Sequence, residues 1–114
     1  MRVTTDFWIS SLMRRVFSGG GFAAIVRRGS AEAGAVFFIL RGRGGELTLY
    51  GPAAQAAYDA ARPDDRRFGL VMTAASEDAL AERLAREQRF DSDLWVVELE
   101  LGAQPLETLI TVSV

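Results

Sequence analysis

The stretch that restricts the fold most is AVFFILR, residues 35–41. Read as a strand, it sends Phe37 and Ile39 to one face and Val36, Phe38 and Leu40 to the other. A strand that is apolar on both faces must be covered on both, so its sheet has to lie between two further layers. Gly34 and Gly42 bound the stretch, and another short apolar run, FAAIVRR (22–28), precedes it. The turn sequence GRGG (42–45) leads into ELTLYG (46–51), where Leu47 and Leu49 face one way. Read locally, these three segments form an antiparallel meander.

Helices are available for the covering layers. From Asp6 to Ser18, Trp8, Ile9, Leu12, Met13 and Val16 share one half of a helical wheel, and Ser10, Ser11, Arg14, Arg15 and Ser18 fill the other. Thr5 or Asp6 fits the N-cap, and the glycines at 19–21 end the helix. It reads as a core-covering helix, because one lying on a membrane would carry more cations. A second helix runs from the Ser76 cap to about Phe90, with Glu77 and Asp78 in its first turn. Leu80, Ala81, Leu84 and Ala85 form its inner face, and Gln88 is polar where the period expects an apolar residue.

RFGLVM (67–72), LWVVELEL (94–101) and LETLITVSV (106–114) read as further strands. In the second of these, Trp95, Val97, Leu99 and Leu101 oppose Glu98 and Glu100, which suggests a solvent-facing edge paired with arginines. In the third, Leu106, Ile110, Val112 and Val114 form the inner face. An uncharged β-branched end of that kind must be paired, either inside the sheet or in a homodimer contact. Residues 52–67 stay ambiguous, alanine-rich and bounded by Pro52 and Pro63. Together the pattern predicts one α+β domain over residues 1–114, a mainly antiparallel sheet of about five to six strands packed with two amphipathic helices.

Composition narrows the chemistry. The 114 residues contain no cysteine, no histidine and no lysine. Disulfides, thiol nucleophiles, histidine-based triads, the usual zinc sites, Schiff-base lysines and phosphate-loop lysines are therefore excluded. A net charge of -2 argues against broad nucleic-acid binding, which relies on a basic surplus. No apolar run approaches the ~20 residues of a membrane span, and the N-terminus lacks the apolar core of a signal peptide. A cytoplasmic protein with no membrane partner and no cofactor is expected.

The segments AAIVRRGSAEAGAVF, LYGPA, RRF and LAREQRFDSDLWVVELE together resemble a family of small, mostly alphaproteobacterial proteins known as domain of unknown function 1491. The resemblance runs from the Trp8 helix to about Glu100. It implies a single-domain bacterial protein and supplies no activity.

Candidate sites come from the residues that remain. RRGSAEAG (27–34) joins two apolar segments, with Gly29 and Gly34 giving permissive backbone. A strand follows it, so it lacks the helix N-terminus of a phosphate loop and reads as a turn. Alternation sends Arg27 and Arg28 to opposite faces. Other arginine pairs stand at 14–15 and 66–67, and guanidinium forks suit phosphate or carboxylate. Yet 15 acidic residues are enough to pair with 13 arginines. Asp91 and Asp93 read as turn chemistry rather than a metal site. Tyr50 either lines a pocket or covers the sheet.

Two functions remain. One is a non-catalytic interaction or assembly module. The other is a binder or enzyme for an anionic small molecule, gripped by Arg28, Arg66 or Arg67 with Tyr50 nearby.

Overall fold

The computed structural model describes residues 4–53 and 66–112. Helix α1 (Thr5–Ser18) starts one residue before the expected first turn, because the Thr4 hydroxyl caps it by accepting from the Phe7 amide at 3.2 Å. Thr5 is thus a helical residue, and it is fully buried. The chain then forms β1 (Phe22–Arg27), β2 (Val36–Arg41), β3 (Leu47–Pro52) and β4 (Arg67–Ala75). Helix α2 (Glu77–Phe90) follows, capped by Ser76, whose hydroxyl accepts from the Ala79 amide at 3.0 Å. Strand β5 (Trp95–Glu100), a 3-10 turn (Leu106–Thr108) and β6 (Thr111–Val112) complete the order.

The fold is α+β, and its six strands lie in the order β1-β5-β2-β3-β4-β6. Strands β2, β3 and β4 are an antiparallel meander, but β1 is not part of it. Strand β5 sits between β1 and β2, antiparallel to the first and parallel to the second. The expected edge strand is therefore central. Its second face explains this: Leu94 and Val96 are buried opposite Trp95, Val97 and Leu99, so β5 too needs cover on both sides.

That order fixes where the layers go. Strands β4 and β5 point the same way, so their connection must cross a sheet face, and α2 is that crossover. Strand β6 is parallel to β4, so the chain leaving β5 must cross as well, and it does so on the α1 side. Ile9, Leu12 and Val16 of α1 meet Val36, Phe38, Phe68, Trp95, Val97 and Leu99 there, joined by Leu106, Leu109 and Ile110 from the tail. On the other face Leu80 meets Phe37, Ile39, Leu47, Leu49, Leu94 and Val96. The two-sided pattern of residues 35–41 is thus satisfied by two separate cores.

Three local expectations need correction. Ala81 and Ala85 are exposed, and α2 rests on Leu80 and partly on Leu84 alone. Gln88 sits 3.2 Å from the Arg27 guanidinium, close enough for its carbonyl oxygen to accept. The tail is a strand only at Thr111–Val112. Before that it turns helically after Pro105, which puts Leu106, Leu109 and Ile110 on one side at helical rather than alternate spacing. Val114 and the ambiguous residues 54–65 lie outside the described residues.

Candidate functional site

The loop holding RRGSAEAG spans the start of β5 rather than closing a simple hairpin. The Ser30 amide donates to the Asp93 carbonyl at 3.0 Å, and the Trp95 amide donates to the Ala35 carbonyl at 2.8 Å. The Trp95 indole N–H donates to the Ser30 carbonyl at 2.8 Å. Gly29 and Gly34 permit this approach, since a Cβ on either would collide with the Asp93 carbonyl. Gly34 also has φ +114°, a conformation L side chains rarely adopt. Gly34→Ala should therefore cost about 2–4 kcal/mol in urea unfolding. Gly45→Ala shares the positive φ (+87°) but meets nothing within 4 Å, and should cost only about 1–2 kcal/mol. Equal costs would show that the loop does not rest on β5.

The loop is occupied with its own structure. Its Ala31 carbonyl accepts from the Asp6 amide at 2.9 Å, and Thr4 takes the Phe7 amide. Two of the amide donors that an anion would use at the start of α1 are consumed this way.

The four candidate residues separate into different settings. Arg28 stacks over the Trp95 ring, 5.1 Å from its centroid, and lies 3.5 Å from Asp6. Arg66 stacks over Trp8 at 5.5 Å and donates to the Thr5 hydroxyl at 2.6 Å. Both therefore brace the first turns of α1. Arg67 begins β4, and its carbonyl accepts from the Ala53 amide at 3.0 Å. Tyr50 is half-buried against the α1-side core, covering the sheet.

Among the described residues these four do not share one of the principal hollows. Arg66 and Arg67 line a shallow one of about 350 Å³ with Ala35, Val36, Pro52, Ala53 and Phe68. Arg66 and Arg15 line another of about 220 Å³, which Glu107 shares and which is small for a ligand site. Arg27 and Arg28 do take opposite faces: Arg27 donates to the Leu94 and Ser92 carbonyls at 2.6 and 2.9 Å. Arg41 lies 3.1 Å from Glu98 and 3.4 Å from Glu77. The hydrogen bond that Arg41 donates to Glu98 leads in pushing the Arg41 pKa above its usual value.

Carboxylate chemistry is equally sparse. Asp91 accepts from the Asp93 amide at 2.9 Å, a side-chain turn. Among the described residues no group of three or more Asp or Glu could hold a metal ion, and no helix is long and apolar enough to cross a membrane.

What the structure adds is a surface. Phe7 (66% exposed) and Phe17 (48%) stand on the outer side of α1, and Phe22 (49%) and Val26 (58%) on edge strand β1. Helix and strand run antiparallel side by side, joined at one end by the Arg28–Asp6 pair and at the other by Phe17 and Phe22, whose ring centroids are 6.0 Å apart. Phe7 and Phe17 lie about 15 Å apart along the axis. Contiguous exposed apolar residues mark interaction sites, and Phe17 with Phe22 form such a pair. The signal was present in the sequence: both phenylalanines fall outside the Ile9–Leu12–Val16 stripe, where an amphipathic helix should be polar.

The family described as "Protein of unknown function (DUF1491)" matches residues 3–107. The solution structure of an A. tumefaciens protein shares 43% sequence identity and superposes with a TM-score of 0.83, covering 98% of this chain and 95% of that one. The crystal structure of a DUF1491 family protein from Caulobacter crescentus CB15 shares 31% identity with a TM-score of 0.75, covering 100% of both chains. An NMR structure of a DUF1491 family protein from the same organism shares 30% identity with a TM-score of 0.76, covering 100% of this chain and 99% of that one. Among curated proteins none matches. A match over nearly the whole length, carried by sequence and fold together, means that this chain belongs to the DUF1491 family.

Proposed function

We propose that this chain is a non-catalytic interaction module of the bacterial cytoplasm, with α1 and edge strand β1 as its docking face. The observation that carries this reading is the exposed aromatic surface of Phe7, Phe17 and Phe22. Aromatic side chains are enriched among binding anchors, because they bury a large area at small entropic cost. The strand offers side chains rather than backbone: a register shift between Ile25 and Arg27 breaks its regular edge, a device that discourages indiscriminate strand pairing.

The alternative, an anionic small molecule held by Arg28, Arg66, Arg67 and Tyr50, has less support. Arg28 and Arg66 are engaged with Asp6, Thr5 and two tryptophan rings. A homodimer through the C-terminal strand also has less to draw on, since β6 already pairs with β4.

Native mass spectrometry of the chain expressed in an alphaproteobacterium separates these readings. A stoichiometric protein partner should be retained, and Phe7→Ser with Phe17→Ser should lose it while the fold is kept. A bare chain, or one carrying only a small anionic molecule, would overturn the proposal.

A further inference from the structure

We propose that helix α2 is a detachable cover: it leaves the sheet as one unit while the α1-side core stays folded, and so gives transient access to the second core. The proposal does not rest on the docking face of α1 and β1. A comparison of the two helices carries it. Both have 14 residues and a hydroxyl cap, so they differ in what they bury. At spacings i, i+3 and i+7, α1 places Ile9, Leu12 and Val16, all buried, and the tail adds Leu106, Leu109 and Ile110 to the same core. The same spacings in α2 hold Leu80, Arg83 and Glu87, of which only Leu80 is buried, and Leu84 packs partly against the sheet.

The second half of α2 therefore stands over a gap. Arg83 and Glu87 line a hollow of about 370 Å³ together with Phe37, Val71 and Leu94 from the sheet side. Gly51 helps to keep that space open, since a Cβ there would lie 2.6 Å from the Phe37 ring. Instead of filling the hollow, Arg83 and Glu87 bond each other at 2.8 Å, with both side chains partly exposed. An ion pair that stays in contact with water holds a helix down far less than buried apolar anchors do.

The other contacts that tie α2 to the sheet are weak. Arg41 reaches Glu77 in the first turn at 3.4 Å, but Glu77 is largely exposed, and Arg41 lies closer, at 3.1 Å, to Glu98 in the sheet. Gln88 meets Arg27 from an exposed position. The chain on either side of α2 is by contrast fixed: β4 is paired with β3 and β6, and Arg27 holds the Ser92 and Leu94 carbonyls. An element with one buried anchor between two secured ends opens at a lower free energy than the whole fold, and moving elements are drawn from that end of the range.

Native-state hydrogen exchange of the full chain, followed by NMR at low urea concentrations, tests this. Corrected for intrinsic rates, the amides of Leu84 to Gln88 should exchange together, with a shallow urea dependence, at least about tenfold faster than those of Leu12 to Val16. Val16→Ala should speed exchange in α1 and β5 and leave α2 unchanged, since α2 opens without disturbing the α1-side core. Arg83→Leu with Glu87→Leu should slow α2 exchange about tenfold or more, by giving α2 the anchors that α1 has. Equal protection of both helices, shifting together in Val16→Ala, would overturn the proposal by making the molecule one cooperative unit. So would exchange that falls off residue by residue from the ends of α2, or a double leucine variant with α2 exchange unchanged.

Discussion

Trp95→Ala should remove a large part of the stability of this fold, about 3–5 kcal/mol out of the 5–15 typical of a single domain. Trp95 is fully buried in the α1-side core, in a strand hydrogen-bonded on both edges. It also organises the loop above it: its indole N–H holds the Ser30 carbonyl and its ring supports Arg28. Trp95→Phe separates these roles. It keeps an aromatic ring in the core but abandons the Ser30 carbonyl, so about 1–3 kcal/mol should be lost. Arg28→Ala, on a largely exposed side chain, should cost less than about 1 kcal/mol. Urea unfolding of the three variants would check the ranking. A Trp95→Ala protein of nearly normal stability would mean that the α1-side core is not built around this residue.

Ending the chain at Gln104 should be comparably damaging. The removed segment supplies Leu106, Leu109 and Ile110, which are buried against α1 and the sheet, and it pairs β6 with β4. Burial of each aliphatic side chain is worth roughly 1.5–3 kcal/mol, partly offset by the entropy of ordering the segment. A net loss on the order of 3–5 kcal/mol is expected, the size of a large core deletion. Removing the cover also leaves the surface around Phe38 and Phe68 open to water, so the shortened chain should self-associate. Leu109→Ala tests the same packing without truncation and should cost about 2–5 kcal/mol. A truncated chain that is monomeric and as stable as the whole one would show that the tail only decorates the sheet.

What could be read from the sequence follows the range of the interactions involved. Local chemistry was legible: the Ser76 cap, the turn around GRGG and the two-sided burial of Phe37 and Phe38 depend on near neighbours. Strand order was not, because the insertion of β5 between β1 and β2 is decided by contacts some seventy residues apart, such as Ala23 with Leu99. Glu98 misled for a related reason. A carboxylate in a strand suggests an edge, yet Arg41 on the adjacent β2 satisfies it in the middle of the sheet. The tail read as a strand from its β-branched residues, although the need to cross a sheet face imposed a helical turn first.

The arginine pairs were visible as candidates, but sequence could not tell that Arg28 and Arg66 brace the start of α1. Phe7 and Phe17 fall outside the core stripe of α1, where the amphipathic pattern expects polar residues. Their exposure in the structure turns that departure into a surface feature.

Photo-crosslinking in living cells tests the docking face most directly. A photoreactive residue placed at position 7, 14 or 17 should yield one discrete adduct with a protein partner. The same residue at position 43, in the β2–β3 turn, or at position 86, on α2, should yield none. Equal adducts from all five positions, or none from α1, would contradict the assignment of α1 and β1 as the working surface of this protein.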